Sequence, residues 1–373
     1  MRKKRGRPVS RRQFKSTSDN SDQSGYQGKN FNIKKLKKIK KSKGEKFYTK
    51  EDIFLSRLAS ILKLPTGRVK QAFTERAVTA IRINNLAGDP ESIKKLLLKK
   101  RLKLKEIPWS PNTYIVENKD KSELGEMHAY EKGLFYIQNL SSLIPALEFR
   151  LERISDKSMQ KVKVLDLTAS PGSKTSQLAA LMDNQGKIIA NDVDPHRAQK
   201  LKEVLDQFHV KNTKVTVQDG SKVGIKSENR EKFDFVLLDA PCSGEGMIYL
   251  THSGSLRFWS IRKVKAMSKI QRKLIESAWL ALKTGGTLVY STCTLEPGEN
   301  EAIIDFLIKK HSNAQVKKLD LVNSEEFKDF RKFVKPGITE WNQYSFSPEV
   351  KKCIRLVPSA EFMGFFVAKI YKG

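Results

Sequence analysis

From residue 162 onward the chain alternates short, apolar, β-prone runs with amphipathic helical ones, and few folds accept that alternation. Residues 162–167, 187–191, 214–217, 233–238 and 287–291 have the length and apolar make-up of buried strands. Residues 174–182, 196–208, 270–282 and 299–309 carry apolar positions at helical spacing. Strands separated by helix-length segments pair in parallel with helices on both faces. The pattern therefore predicts a Rossmann-like, doubly wound α/β sheet. A last apolar run, 362–371, is expected to pair at the sheet edge.

Ahead of this region the periodicity changes. Residues 48–87 begin as helix, with Ile53, Leu55, Leu58, Ile61 and Leu62 at helical spacing and a stop at Leu64-Pro65. Ile81-Arg82-Ile83-Asn84 alternates like a strand, 92–100 reads as a basic amphipathic helix, and 102–115 reads as extended. The expected division is a small α+β domain over 48–118 and a larger domain over 119–373. Residues 1–47 are expected to be a disordered basic tail. The first 50 residues hold 18 Lys and Arg against 3 Asp and Glu, half of the chain's net charge of +30.

A charge of that size favours a polyanion, and nucleic acid is preferred to a membrane because no apolar run is long enough to span a bilayer. Arg5-Gly6-Arg7-Pro8 resembles a short minor-groove hook, but four residues weigh less than the reading of a solvated tail that adds nonspecific affinity. The basic run 34–43 also fits a nuclear or nucleolar address, the alternative to a cytoplasmic location. Residues 1–12 lack the apolar core of a secretory signal. The three cysteines, Cys242, Cys293 and Cys353, form no CxxC pair, so a reducing compartment, no disulfide framework and no metal are expected. The chain is read as a monomer.

The chemistry-bearing residues fall at the predicted strand ends. The first strand turns into its helix through Asp166-Leu167-Thr168-Ala169-Ser170-Pro171-Gly172-Ser173-Lys174-Thr175. With neither GxGxxG nor GxxxxGK[ST], this loop is a poor cradle for a pyrophosphate. Twenty residues past Gly172, Asn191-Asp192 closes the second strand where an acid can bond both hydroxyls of a ribose, and Asp219 closes the third where it can reach an adenine amino group. An adenosine without phosphates points to S-adenosylmethionine. Each acid alone is more often a turn residue, but three at successive strand ends outweigh that reading.

The fourth strand ends in Asp239-Ala240-Pro241-Cys242-Ser243-Gly244-Glu245-Gly246, and the fifth in Ser291-Thr292-Cys293-Thr294. A buried strand-end cysteine is ordinarily a small apolar residue. Two on adjacent strand tips, facing one crevice beside a carboxylate, suggest thiolate chemistry on cytosine. A thiolate adds to C6 while an acid engages N3, and C5 becomes an enamine carbon able to take a methyl group. A free thiol is little ionised at neutral pH, so nearby positive charge is needed, and Lys174 and the cofactor sulfonium are the candidates.

These motifs, with Phe135-Tyr136-Ile137-Gln138, Leu288-Val289-Tyr290, Glu299-Asn300-Glu301 and Gly364-Phe365-Phe366-Val367-Ala368, resemble the Nol/Nop/Sun family of RNA (cytosine-5)-methyltransferases over residues 50–373, most of all its bacterial 16S ribosomal RNA members. The resemblance implies that Cys293 is the nucleophile, that Cys242 assists release of the product, and that Asp239 handles the cytosine ring with Lys174 nearby. It also implies that Thr168, Ala169, Ser170, Pro171, Gly172, Ser173, Lys174, Asp192, Asp219 and Asp239 line the S-adenosylmethionine site. Thr168 and Ser170 depart from the Cys or Ala common there, in a loop that works through its backbone. The implied substrate is structured RNA, ribosomal before transfer RNA, with the basic surface of the small domain as the docking module. A catalytically silent RNA-binding assembly factor on the same fold is the competing reading. It would have no need of two thiols, Asp239 and Lys174. An adenine-N6 methyltransferase is disfavoured because Ala240-Pro241-Cys242 stands where such chemistry usually uses a Pro-Pro-aromatic element.

Overall fold

The computed structural model describes residues 48–373, and the expectation of a disordered tail over 1–47 lies outside the described residues. Helix α1 (Lys50–Leu62) is started by a capping box in which Thr49 and Asp52 satisfy each other's backbone N–H, and it stops at Lys63, whose φ is 51°. Helix α2 (Thr66–Ala72) follows at the expected Pro65. Strand β1 (Ala80–Ile83), helix α3 (Pro90–Lys99), strands β2 (Leu104–Glu106) and β3 (Thr113–Val116), and strand β4 (Phe135–Ile137) then build an antiparallel sheet in the order β2-β3-β1-β4. Its core is Ile81, Ile83, Ile93, Leu97, Tyr114 and Phe135.

Two details differ from the expected division at residue 118. The fourth strand of the small sheet lies at 135–137, so a cut at 118 would leave that sheet's central strand β1 open on one side. Helix α1 packs away from the small sheet: Phe54 and Leu58 belong to the cluster containing Trp259 and Trp279. Apolar spacing showed that α1 had a face to bury but carried no information about which core would cover it.

After helix α4 (Leu140–Leu147), the chain runs through β5 (Lys163–Asp166), α5 (Ser173–Leu181), β6 (Lys187–Asp192), α6 (Pro195–Gln207), β7 (Thr213–Val217), β8 (Phe233–Asp239), α7 (Ile261–Ala281), β9 (Leu282–Thr292) and α8 (Glu301–Lys310). The same sheet is completed by three short strands, β10 (Ala314–Lys317), β11 (Val334–Pro336) and β12 (Ile354–Leu356), and by the longer β13 (Phe365–Lys372). The sheet order is β11-β12-β13-β9-β8-β5-β6-β7, with β10 also on β13. Strands β7, β6, β5, β8 and β9 are parallel, which is the expected doubly wound sheet. The strand order reverses at β5, and ligands bind such sheets at the carboxyl ends of the strands around that reversal.

Strand β13 is not the edge strand expected of 362–371. It pairs antiparallel with β9 on one side and with β12 and β10 on the other. Its buried residues on both faces suit an interior strand. Strands of three or four residues, such as β10 to β12, leave too little periodicity to reveal them in advance. Among the described residues no helix is long and apolar enough to cross a membrane, and no cluster of His, Cys, Asp or Glu could hold a metal ion.

Candidate active site

The register sets the strand ends level: Asp166 pairs with Ala190 and Leu237, and Asp239 with Ser291. Between β5 and α5 the loop is pinned by its backbone, with the Ala169 N–H donating to Asn191 O at 2.8 Å and Thr168 Oγ1 to Asp239 O at 2.8 Å. Ser170 and Arg197 exchange two further bonds with each other's main-chain oxygens, at 2.9 and 3.1 Å. Gly172 has φ 109°, and a Cβ there would stand 2.9 Å from Leu201 Cδ1 of α6, so geometry and space both demand glycine. As the N-cap of α5 it offers no side-chain acceptor, and the first N–H groups of that helix keep their capacity to bind. Pro171, Ser173 and Lys174 complete the turn into α5. Beneath it, Thr175 Oγ1 donates to Asp166 Oδ2 at 2.6 Å, and burial pushes the Asp166 carboxyl up to about 7.

Asp192 ends β6 and is buried. Its Oδ1 accepts the Asp194 N–H at 3.1 Å, while Oδ2, 3.3 Å from an Arg197 nitrogen, has no hydrogen bond. A buried carboxylate oxygen without a donor is costly and calls for a partner. Its neighbour Val193 is an apolar side chain 62% exposed at the same strand end. Asp219 is exposed and caps a short helix, its Oδ1 taking the Ser221 N–H and hydroxyl at 3.0 and 2.7 Å, bonds that hold its carboxyl below the usual range.

The two thiols meet. Cys242 Sγ and Cys293 Sγ are 3.2 Å apart, both free and both half-buried. The hydrogen bond with Cys293, then burial, then the negative charges of Cys293, Glu299 and Asp239 hold the Cys242 thiol well above its ordinary pKa. Asp239 accepts from Lys174 Nζ at 2.6 Å and from Ser291 Oγ at 2.7 Å. Lys174 also donates to Ser142 Oγ at 2.9 Å and lies 5.5 Å over the Phe365 ring. The ammonium that touches the Pro-Cys loop is instead Lys263 of α7, 3.2 Å from Ser243 O.

Buried polar groups fix both thiol loops. Ser243 N and Gln271 Nε2 donate to Glu299 Oε2 at 2.9 Å each, and Gln271 reaches Pro241 O at 2.8 Å. Gly246 N donates to Cys293 O at 2.9 Å, and a Cβ on Gly246 would lie 1.8 Å from Gly364 O. Glu245 accepts from Trp259 Nε1 at 2.8 Å and from Thr294 Oγ1 at 2.9 Å. Burial pushes Glu245 up to about 7 and Glu299 up to about 8. Glu299 Oε1 and Gln271 Oε1 have no donor, and a proton on Glu299 supplies one to that cluster.

A carboxyl raised in the folded chain binds its proton there but not in the unfolded chain between the two pKa values, so its stabilising effect is full below about 4.5 and is lost as pH rises toward 8. Thermal melts should therefore show stability falling from pH 5 to 8, with Glu299→Gln flattening the slope. An unchanged slope in that variant would mean that Glu299 is ionised throughout.

Of the residues singled out in the sequence, the structure gathers Cys242, Cys293, Asp239 and Lys174 into one cluster beside Thr168. It sets Asp192 and Asp219 at the neighbouring strand ends. Sequence reasoning missed Ser142 and Lys263, while Ser291, Glu245 and Glu299 lay within quoted motifs and were given no role. Ser142 and Lys263 carry no local signal, since they reach the site from helices remote in sequence. Glu245 and Glu299 could have been suspected as acids beside apolar or thiol-bearing runs.

The sequence profile of the 16S rRNA methyltransferase RsmB/F family matches residues 155–371, and that of the N-terminal domain of 16S rRNA methyltransferase RsmF matches 51–140. A Pyrococcus abyssi protein named tRNA (cytosine(49)-C(5))-methyltransferase is 40% identical over 79% of this chain and 88% of its own length. The ribosomal RNA small subunit methyltransferase F of Shewanella amazonensis is 36% identical over 79% of this chain, which spans only 58% of that relative. Among solved structures, a methyltransferase homolog protein from Pyrococcus horikoshii superposes with a TM-score of 0.68 at 29% identity, covering 91% of this chain and 98% of its own.

Proposed function

This chain belongs to the 16S rRNA methyltransferase RsmB/F family, and we propose that it transfers a methyl group from S-adenosylmethionine to C5 of cytosine in structured RNA through a covalent bond from Cys293 to C6. The observation that carries the reading is the 3.2 Å thiol pair beside the Lys174–Asp239 ion pair at the sheet's reversal point.

The residues present fit S-adenosylmethionine. Asp192 Oδ2, ion-paired to Arg197 but without a hydrogen bond, suits the ribose hydroxyls, exposed Val193 offers apolar surface to adenine, and the uncapped start of α5 with the 168–174 backbone suits the amino-acid end. When bound, the cofactor supplies an electrophilic methyl group. In this reading Asp239, oriented by Lys174 and Ser291, engages N3 of the base while the Cys293 sulfur forms the S–C6 bond and makes C5 nucleophilic.

Cys242 then changes role. The hydrogen bond with Cys293, then burial, then that sulfur's charge hold its thiol above the ordinary pKa. Once Cys293 is bonded to C6, its hydrogen bond and its charge no longer act on Cys242 while burial still does, and in this reading Cys242 gives up its proton more readily than before. As a thiolate it takes the C5 proton, the S–C6 bond breaks, and Cys293 leaves with the electron pair as C5=C6 re-forms. Labelled-cofactor assays on unmodified RNA test the activity, and no methyl transfer to any RNA would sink it.

Ribosomal RNA is the first substrate to test and transfer RNA the second. Two matching profiles carry the 16S rRNA description, whereas the Pyrococcus abyssi relative is named for a tRNA cytosine. Bisulfite sequencing of RNA from cells lacking the protein locates the base. The small sheet with α3, rich in lysine, is proposed to dock that RNA. Asp192→Ala should weaken cofactor binding by about 1.5 to 3 kcal/mol, the scale of hydrogen bonds to a charged group. Calorimetry that finds full affinity in the folded variant would remove Asp192 from the cofactor site.

A further inference from the structure

We propose that Phe258, backed by Arg257, is a stacking platform for an unpaired RNA base next to the target cytosine. The inference rests on the RNA reading above and adds a binding subsite to it. Phe258 is 74% exposed, the most exposed large apolar side chain of the described residues. The Arg257 guanidinium carbon lies 5.3 Å from the centre of its ring.

The backbone beneath the pair is tied down on both sides. Leu256 packs against the main core, while Trp259 is buried edge-on to Phe54 at 5.1 Å and donates to Glu245. The Trp259 N–H donates to Leu256 O at 3.1 Å, and Lys50 Nζ donates to Arg257 O at 3.0 Å. Two residues that point outward are thus fixed between two that point inward. Trp259 reaches, through Glu245 and Thr294, the strand end that carries Cys293, so the platform is built on the same loop system as the thiols.

The surroundings favour an anion. Residues 246–275 contain seven Lys and Arg and no Asp or Glu. Arg262 and Lys263 stand in the first turn of α7, where the helix dipole disfavours cations unless an anion offsets them. A fixed aromatic face with Arg257 against it, in a stretch of chain rich in cations and without acids, matches one partner chemistry, a nucleotide with its base on the ring and its phosphates on the lysines and arginines.

The test uses a 12-nucleotide single-stranded RNA of cytosines with one 2-aminopurine, titrated with the full chain without cofactor. Stacking should quench the 2-aminopurine fluorescence on binding. Phe258→Ala should weaken binding roughly 5- to 150-fold, the range of one base–aromatic stack, and abolish the quench. The slope of log K against log salt should stay unchanged, because no phosphate contact is lost. Phe258→Trp should retain both affinity and quench, whereas Arg262→Gln should flatten the slope. Wild-type affinity in Phe258→Ala, a weak Phe258→Trp, or a quench that survives in Phe258→Ala would each overturn the platform. So would wild-type self-association that Phe258→Ala abolishes, since the face would then bind protein. RNA binding with a quench but no methyl transfer in the full assay would sink the enzymatic reading and leave the platform standing.

Discussion

Under the mechanism proposed above, Cys293→Ala and Cys242→Ala should give opposite results on a denaturing gel after incubation with RNA and S-adenosylmethionine. Without Cys293 no S–C6 bond forms, so the chain runs free of RNA, and turnover falls by a factor on the order of 10^6, the scale seen when a covalent nucleophile is removed elsewhere. Without Cys242 the first half of the reaction proceeds, because Asp239 and Cys293 remain. The C5 proton then has no nearby base, the methylated adduct is not released, and a protein–RNA species accumulates. The 3.2 Å separation makes the assignment sensitive to experiment, since either sulfur is placed to attack where the other does. An adduct in Cys293→Ala and none in Cys242→Ala would move the nucleophile to the Pro-Cys thiol. Adducts in neither variant, beside an active parent, would remove covalent catalysis.

Much of this site lies in stretches where local sequence carries its own physics. Asp192 and Asp219 follow apolar β-prone runs, and a parallel strand delivers its last residues to the ligand-binding edge of the sheet. The thiols were legible for the same reason, being neighbours only once β8 and β9 are known to pair. What local sequence lacks is partner identity. Lys174 appeared as a charge for the thiols, but its ammonium bonds to Asp239 and Ser142, and Ser142 comes from a helix 32 residues earlier in the chain. The expected helix at 270–282 begins nine residues sooner, at Ile261, because the lysines and arginines of its first turns mask the apolar stripe. Strand β9 starts directly where that helix ends, and Gly285-Gly286 hid its first half.

Arg57→Leu should destabilise the chain by about 3 to 5 kcal/mol, the cost of leaving one member of a buried ion pair alone. Arg57 comes from α1, far in sequence from the thiols, and makes a two-point contact with Glu296 at 2.6 and 2.7 Å, with both side chains nearly inaccessible to water. Glu296 lies two residues after Thr294, whose hydroxyl donates to the equally buried Glu245. The charge of Glu296 pushes the Glu245 carboxyl up and Arg57 pulls it down, so removal of the guanidinium leaves two acids with no offsetting charge. Two responses are open to the chain: it protonates a carboxyl, or it lets water into the loop that orients Cys293. Either lowers stability at neutral pH, and activity should fall with it although Arg57 touches no reacting atom. Urea unfolding measures the loss, and the pair Arg57→Leu with Glu296→Leu separates causes, because replacing both charges by apolar groups restores most of the stability. A double variant as unstable as the single one would place the effect in lost packing against Trp341, whose ring centre lies 5.1 Å from the guanidinium.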